Sequence, residues 1–116
     1  MKKGIFLTVF FLLVFSALTF SAEVSIVKMQ GIVMSLDLKK SIGVVNERTF
    51  VWNKNTTFYD GKGSPIKVDN LKTKGWVYIE GENDKANQRL VAKKIYLLPK
   101  YIERKERYLY PFIQQN

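Results

Sequence analysis

The chain has 116 residues, 47% of them hydrophobic and 25% charged, which is a globular composition with room for one core and not for two. It contains no Cys and no His, which excludes disulfides, thiolate metal sites and cysteine nucleophiles and removes the usual general base. Nineteen Lys and Arg against ten Asp and Glu give a formal charge of +9, a balance that an ordinary solvated surface accounts for and that would also suit anionic partners.

Met1-Lys2-Lys3 is a short cationic start, and Gly4 to Phe20 is an apolar run interrupted only by Thr8, Ser16 and Thr19. Ser21, Ala22 and Glu23 then return the chain to polarity, which completes the pattern of a secretory signal peptide over residues 1–22, cut after Ser21 or Ala22. The competing reading is an uncleaved inner-membrane anchor, because a spanning helix needs about 20 apolar residues and this run is only slightly shorter. Either way the rest of the chain is exported, to the periplasm or beyond. Without Lys2 and Lys3 it keeps a charge of +7, and no lipid-attachment Cys follows the leader. With no disulfide available in an oxidising compartment, packing alone must hold the fold.

Residues 23–99 read as a barrel domain of short strands. Val24 to Asp37 is rich in β-branched residues and predicts one long strand. Its period of two breaks before Leu36, which predicts a bulge near Met34-Ser35. The polar stretch Asp37 to Ser41 is a turn, and Ile42–Val45, Asn46-Glu47 and Arg48–Trp52 form a hairpin. Thr56–Tyr59 is a further short strand, closed by the turn-forming run Asp60 to Pro65. Val68 to Gly75 allows one helical turn capped by Asp69 or Asn70, with Leu71 plugging one end of the barrel. Trp76 to Glu82 alternates with Val77 and Ile79 on one face and Trp76, Tyr78 and Glu80 on the other. A polar loop over Glu82–Gln88 leads to a last strand, Leu90–Leu98, with a second bulge at Lys93-Lys94.

This order of motifs resembles a family of small secreted bacterial domains of unknown function with an OB-like β-barrel. The residues that carry it are Gly31-Ile32-Val33 with Leu36-Asp37, then Thr56-Thr57-Phe58 with Asp60-Gly61, then Leu71 to Gly75 running into Trp76 to Gly81, and finally Leu90 to Ile95. The resemblance spans Val27 to Leu98 and implies an all-β, five-stranded barrel. Its residues set the barrel, so it implies no catalytic residue and no cofactor.

Three groups of side chains invite a functional reading. Trp76 and Tyr78 on the outer face, with Tyr96 beside them and Lys93 and Lys94 nearby, match the exposed aromatics and cations with which OB-type barrels bind ligands. The alternative is that the C-terminal tail or a partner subunit covers the rings, as the scarcity of large exposed aromatic patches on monomers favours. Glu80, Glu82 and Asp84, spaced by two, could do acid–base chemistry or hold a hard cation, but a calcium site gathers six or more oxygens, so solvation of a strand end is the simpler reading. Met29, Met34 and Trp52 invite comparison with periplasmic copper chaperones, whose opening Gly-x-Val strand looks similar and which bind Cu(I) through His, two Met and a Trp ring. Here His is missing, and Met29 and Met34 fall on opposite faces of a regular strand, so the metal-binding chaperone reading is weak.

Residues 100–116 form a basic, aromatic tail. Lys100 to Tyr110 has apolar pairs seven apart and Glu103 four before Arg107, which predicts a short helical or irregular tail, amphipathic if helical, that packs on the barrel in preference to a membrane surface or a partner. The whole reads as a non-enzymatic binding or accessory module of the bacterial cell envelope. Its partner would be an anionic envelope polymer, a membrane surface or an acidic protein. Nucleic acid is disfavoured, because exported proteins seldom meet it and no run combines aromatics with Arg densely. A hydrolase using Ser or carboxylates without His is the enzymatic alternative, and a barrel this small offers it little depth.

Overall fold

The computed structural model describes residues 25–114, and the leader lies outside them. Six strands form one sheet: β1 (Ile26–Asp37), β2 (Ile42–Val45), β3 (Arg48–Val51), β4 (Thr57–Tyr59), β5 (Trp76–Asp84) and β6 (Arg89–Leu98). The sheet runs β3-β2-β1-β5-β6-β4, and a further parallel pairing of β3 with β6 closes it on itself. β3 meets β6 at Leu90 and Val91, and β4 meets the same edge farther on, at Lys94 to Tyr96. They are successive halves of one interrupted stave, so the closed form is a five-stave OB-like barrel.

Local chemistry explains this path. Val33 pairs with Val45 but Ser35 with Val44, so the extra residue Met34 bulges where the alternation broke. On β6 the register slips by one opposite Glu80 and Gly81, leaving Lys93 as the extra residue. Gly81 permits that bulge, since a Cβ there would run into the Val91 carbonyl. Asn46 and Glu47 both have positive φ, as a two-residue hairpin of the primed type requires. The Asn46 side chain then ties the hairpin to β1, accepting from Ile32 N at 3.0 Å. Gly31 keeps that approach open, because a Cβ would lie 2.6 Å from Val45 and 2.8 Å from Asn46.

The helical turn before β5 is a 3-10 turn, Val68–Asn70, and Leu71 behind it sits in the inner core as expected. Asp69 and Asn70 do not cap it, since both lie inside the turn, and Lys67 occupies the N-cap position. The expected loop from Glu82 is shorter than the sequence suggests. β5 continues to Asp84, because Glu82, Asn83 and Asp84 pair across to Val91, Leu90 and Arg89.

Two cores result. Inside the barrel, Val33, Val45, Phe50, Trp52, Leu71, Val77, Ile79, Leu90, Ala92 and Ile95 pack together. Outside, on the back of β5 and β6, a second core joins Tyr78, Tyr96 and Leu98 to Ile102 and Ile113 of the tail. Among the described residues, those in the two cores and packed against them lie between Val27 and Ile113, and a chain starting at Glu23 retains them all.

The tail is not an amphipathic helix. It forms one 3-10 turn, Arg104–Leu109, that buries no residue of its own. Its anchors flank the turn instead: Ile102 before it, where Glu103 is still extended, and Ile113 after it. Gln30, buried on β1, grips the first anchor with both ends of its amide. Its Nε2 donates to Ile102 O at 3.0 Å, and its Oε1 accepts from Ile102 N at 2.8 Å. At the far end Gln114 N donates to the Tyr78 hydroxyl at 3.1 Å, and Lys28 Nζ donates to the Gln114 side chain at 2.8 Å.

Candidate functional site

The outer aromatic face is closed. Tyr78 is 0% exposed and Tyr96 is buried, with the Tyr96 ring stacked between Tyr59 at 4.7 Å and Phe112 at 4.1 Å. Trp76 is half-buried and meets Tyr101 edge-on at 5.7 Å. Burial pushes the Tyr78 and Tyr96 phenols above the ordinary tyrosine range. Tyr78 and Tyr96 therefore form no open platform, because the tail uses them as its floor, while Trp76 lies half-covered at its edge. Lys93, the bulge residue, and Lys94 next to it remain exposed and share a hollow of about 150 Å³ with Glu80, Glu82 and Ile26. Charges of both signs line that hollow. The third carboxylate, Asp84, is turned away to Asn87 at 2.8 Å and Arg89 at 3.6 Å, so the three acids do not converge.

The soft-metal set does not assemble either. Met29 packs against the inner core, Met34 is exposed on its bulge, and Trp52 is buried beside Phe50. Among the described residues no three His, Cys, Asp or Glu side chains gather in a way that could hold a metal ion.

A different place has the dimensions of a ligand site. Where β3 breaks off and β4 begins, an open basin of about 530 Å³ lies between the β1–β2 turn, the 53–56 loop and the Val68–Asn70 turn. That volume falls within the usual range for small-molecule sites. Its wall is Trp52 and Phe58, whose rings meet edge to face at 6.2 Å. Lys54 and Lys67 stand exposed on its rim with Asn53 and Ser41, and Lys39 and Lys40 belong to the same turn as Ser41. Asp69 is the one carboxylate lining it.

The rim is fixed by short-range hydrogen bonds. Asn53 Oδ1 accepts from Asn55 N at 2.8 Å, and the buried Thr56 hydroxyl accepts from Asn53 N at 3.1 Å while donating to Ala92 O at 2.7 Å. Trp52 N donates to Ser41 O at 3.1 Å, which ties the β1–β2 turn to the end of β3. Lys67 O accepts from both the backbone and the side-chain nitrogen of Asn70. These braces fix the backbone on which Lys54 and Lys67 stand, so less of the loop is left to be ordered on binding. An aromatic wall under a rim of ammonium groups suits an anionic, partly apolar ligand. Of the other polar groups in the lining, the Thr56 hydroxyl is committed to the backbone.

The sequence matches no protein family and no curated protein. Two solved structures are similar in fold. The fimbrial biogenesis protein PilY2 from Pseudomonas aeruginosa PAO1 aligns with a TM-score of 0.50 at 16% identity, covering 69% of this chain and 86% of its own. Apo-CusF from Escherichia coli, residues 6–88, aligns with a TM-score of 0.49 at 12% identity, covering 66% of this chain and 92% of its own. At that distance the likeness to PilY2 speaks for a small β-barrel fold and for nothing finer.

Proposed function

We propose that this is an exported, non-enzymatic binding or accessory module of the bacterial cell envelope, and that the basin at the β3–β4 break is its ligand site. The observation that carries the reading is the pairing of Trp52 and Phe58 with Lys54 and Lys67 around one open cavity. The ligand class is an anionic polymer of the envelope, with phosphate or carboxylate groups meeting the lysines and a less polar ring lying on the aromatic wall. The cationic leader followed by 17 apolar or hydroxylic residues supports export. PilY2, a fimbrial biogenesis protein, offers an accessory role in the envelope as a precedent for the fold.

The test is a titration of the 15N-labelled Glu23–Asn116 protein with a phosphorylated core oligosaccharide freed of its lipid. Amide shifts should centre on Ser41, Asn53, Lys54 and Lys67 to Asp69. A single exposed ion pair is worth about 1 kcal/mol, so the double substitution Lys54→Ala/Lys67→Ala should weaken binding on the order of tenfold or more. Shifts confined to other loops, or an affinity unmoved by the double substitution, reject the basin as the site.

A further inference from the structure

We propose that the 3-10 turn of the tail is an interfacial anchor that docks the barrel on an anionic lipid surface. This surface lies apart from the residues that line the basin, and the inference does not depend on the ligand reading.

The turn Arg104–Leu109 contributes nothing to either core. Yet Tyr108 is 79% exposed and Leu109 59%, and Tyr101 just before the turn is 44% exposed. A tail whose only role was to cover the outer face would bring its apolar side chains inward, as Ile102 and Ile113 do. Here the anchors pin both ends, and the segment between them presents its Tyr and Leu to solvent. The pins are rigid: the double hydrogen bond from Gln30, the stacked Tyr96 and Phe112 rings and the Tyr78 hydroxyl fix where the turn points.

Charge selects the occupant. Residues 100–110 carry Lys100, Arg104, Lys105 and Arg107 against Glu103 and Glu106, an excess of two positive charges. Both acids are engaged by lysines of the same segment, Glu106 by Lys100 at 2.8 Å and Glu103 by Lys105 at 3.6 Å. The Lys100 hydrogen bond keeps the Glu106 carboxyl below the usual carboxylate range. Exposed tyrosines and a leucine beside basic side chains are the chemistry of a bilayer interface: amphipathic rings settle at the headgroup level, the leucine enters the acyl boundary, and the cations meet anionic headgroups. One turn of this kind gives weak, reversible and salt-sensitive binding, strengthened wherever a second attachment holds the chain at the same surface.

The experiment uses the Glu23–Asn116 protein, because the apolar leader of the full chain would enter any bilayer by itself. The protein is floated with vesicles of phosphatidylcholine alone and with vesicles containing 40% phosphatidylglycerol. A headgroup-attached gadolinium lipid then reports, by amide broadening, which residues lie at the surface. Binding should be at least tenfold stronger to the phosphatidylglycerol vesicles, should fall at 0.5 M NaCl, and should broaden residues 104–109 first. Tyr108→Ser/Leu109→Ser should lower it tenfold or more with melting unchanged, since neither side chain is buried. Equal binding to both vesicles overturns the proposal, as does broadening centred on the basin loops. No binding at all also overturns it and leaves the turn as a protein contact.

Discussion

Replacing Gln30 by Met removes one amide and tests the clasp that holds the tail. Met keeps the length and flexibility of the side chain, so the hole is filled and only the polar contacts are lost. Two hydrogen bonds vanish, at 2.8 and 3.0 Å, and the Ile102 N–H and C=O are left facing an apolar neighbour. Each stranded backbone group costs about 1–3 kcal/mol, and partial relaxation toward water brings the sum to roughly 2–4 kcal/mol. For a domain of this size each kcal/mol moves the melting temperature by about 4–8 °C, so the drop should be on the order of 10–25 °C. Circular dichroism gives the melting shift, and amide exchange locates it. In the wild type the Ile102 amide, which lies outside every strand, should exchange as slowly as those of β5. In the variant it should exchange at near-coil rates while Ile79 keeps its protection relative to the new global stability. A melting change under about 3 °C, or a wild-type Ile102 amide already exchanging like coil, would refute the clasp.

Gly81→Ala should cost about 3 kcal/mol or more, because its Cβ meets the Val91 carbonyl and the β6 bulge cannot move away; a variant melting within a few degrees of wild type would mean that the bulge relaxes freely. The raised Tyr78 and Tyr96 phenols favour the protonated form in the folded chain, so their contribution is complete below the ordinary tyrosine pKa of about 10 and is lost as pH rises through their folded values. An alkaline titration followed at 295 nm should therefore show two of the six tyrosines ionising late and together with unfolding, and six phenols ionising near pH 10 on an intact fold would contradict this.

Much of the barrel was legible because its defects are written in the local pattern. The lost alternation before Leu36 marks the first bulge, the doubled Lys93-Lys94 the second, and Asn46-Glu47 a tight hairpin. Alternation cannot say what an outward side chain meets. Tyr78 has the same spacing whether its ring faces water or a tail, and the residues that bury it arrive more than 20 positions later. Gln30 and Ile102 are 72 residues apart, so no window of sequence joins them. The end of β5 was hidden for another reason: Glu82, Asn83 and Asp84 have loop-like composition, and only their partners on β6 hold them extended. The basin escaped notice because Trp52 and Phe58 read as strand ends and Lys54 and Lys67 as loop charge. The run Asn53-Lys54-Asn55 was its one trace, since it marks where the third stave is cut and the cavity opens.

If the chain is exported as proposed, the place of the tail after β6 sets an order of events. A polypeptide that crosses a membrane amino end first can complete its barrel once Leu98 has passed, and at that moment Tyr78, Tyr96 and Leu98 form a bare apolar surface on its back. The surface would disappear only when Ile102 and Ile113 emerge. For that interval the half-delivered protein is a sticky object beside the translocation pore, open to holdase chaperones and to other copies of itself. A stall or a nick after Pro99 would make the interval permanent, yielding a barrel that is folded inside and aggregation-prone outside.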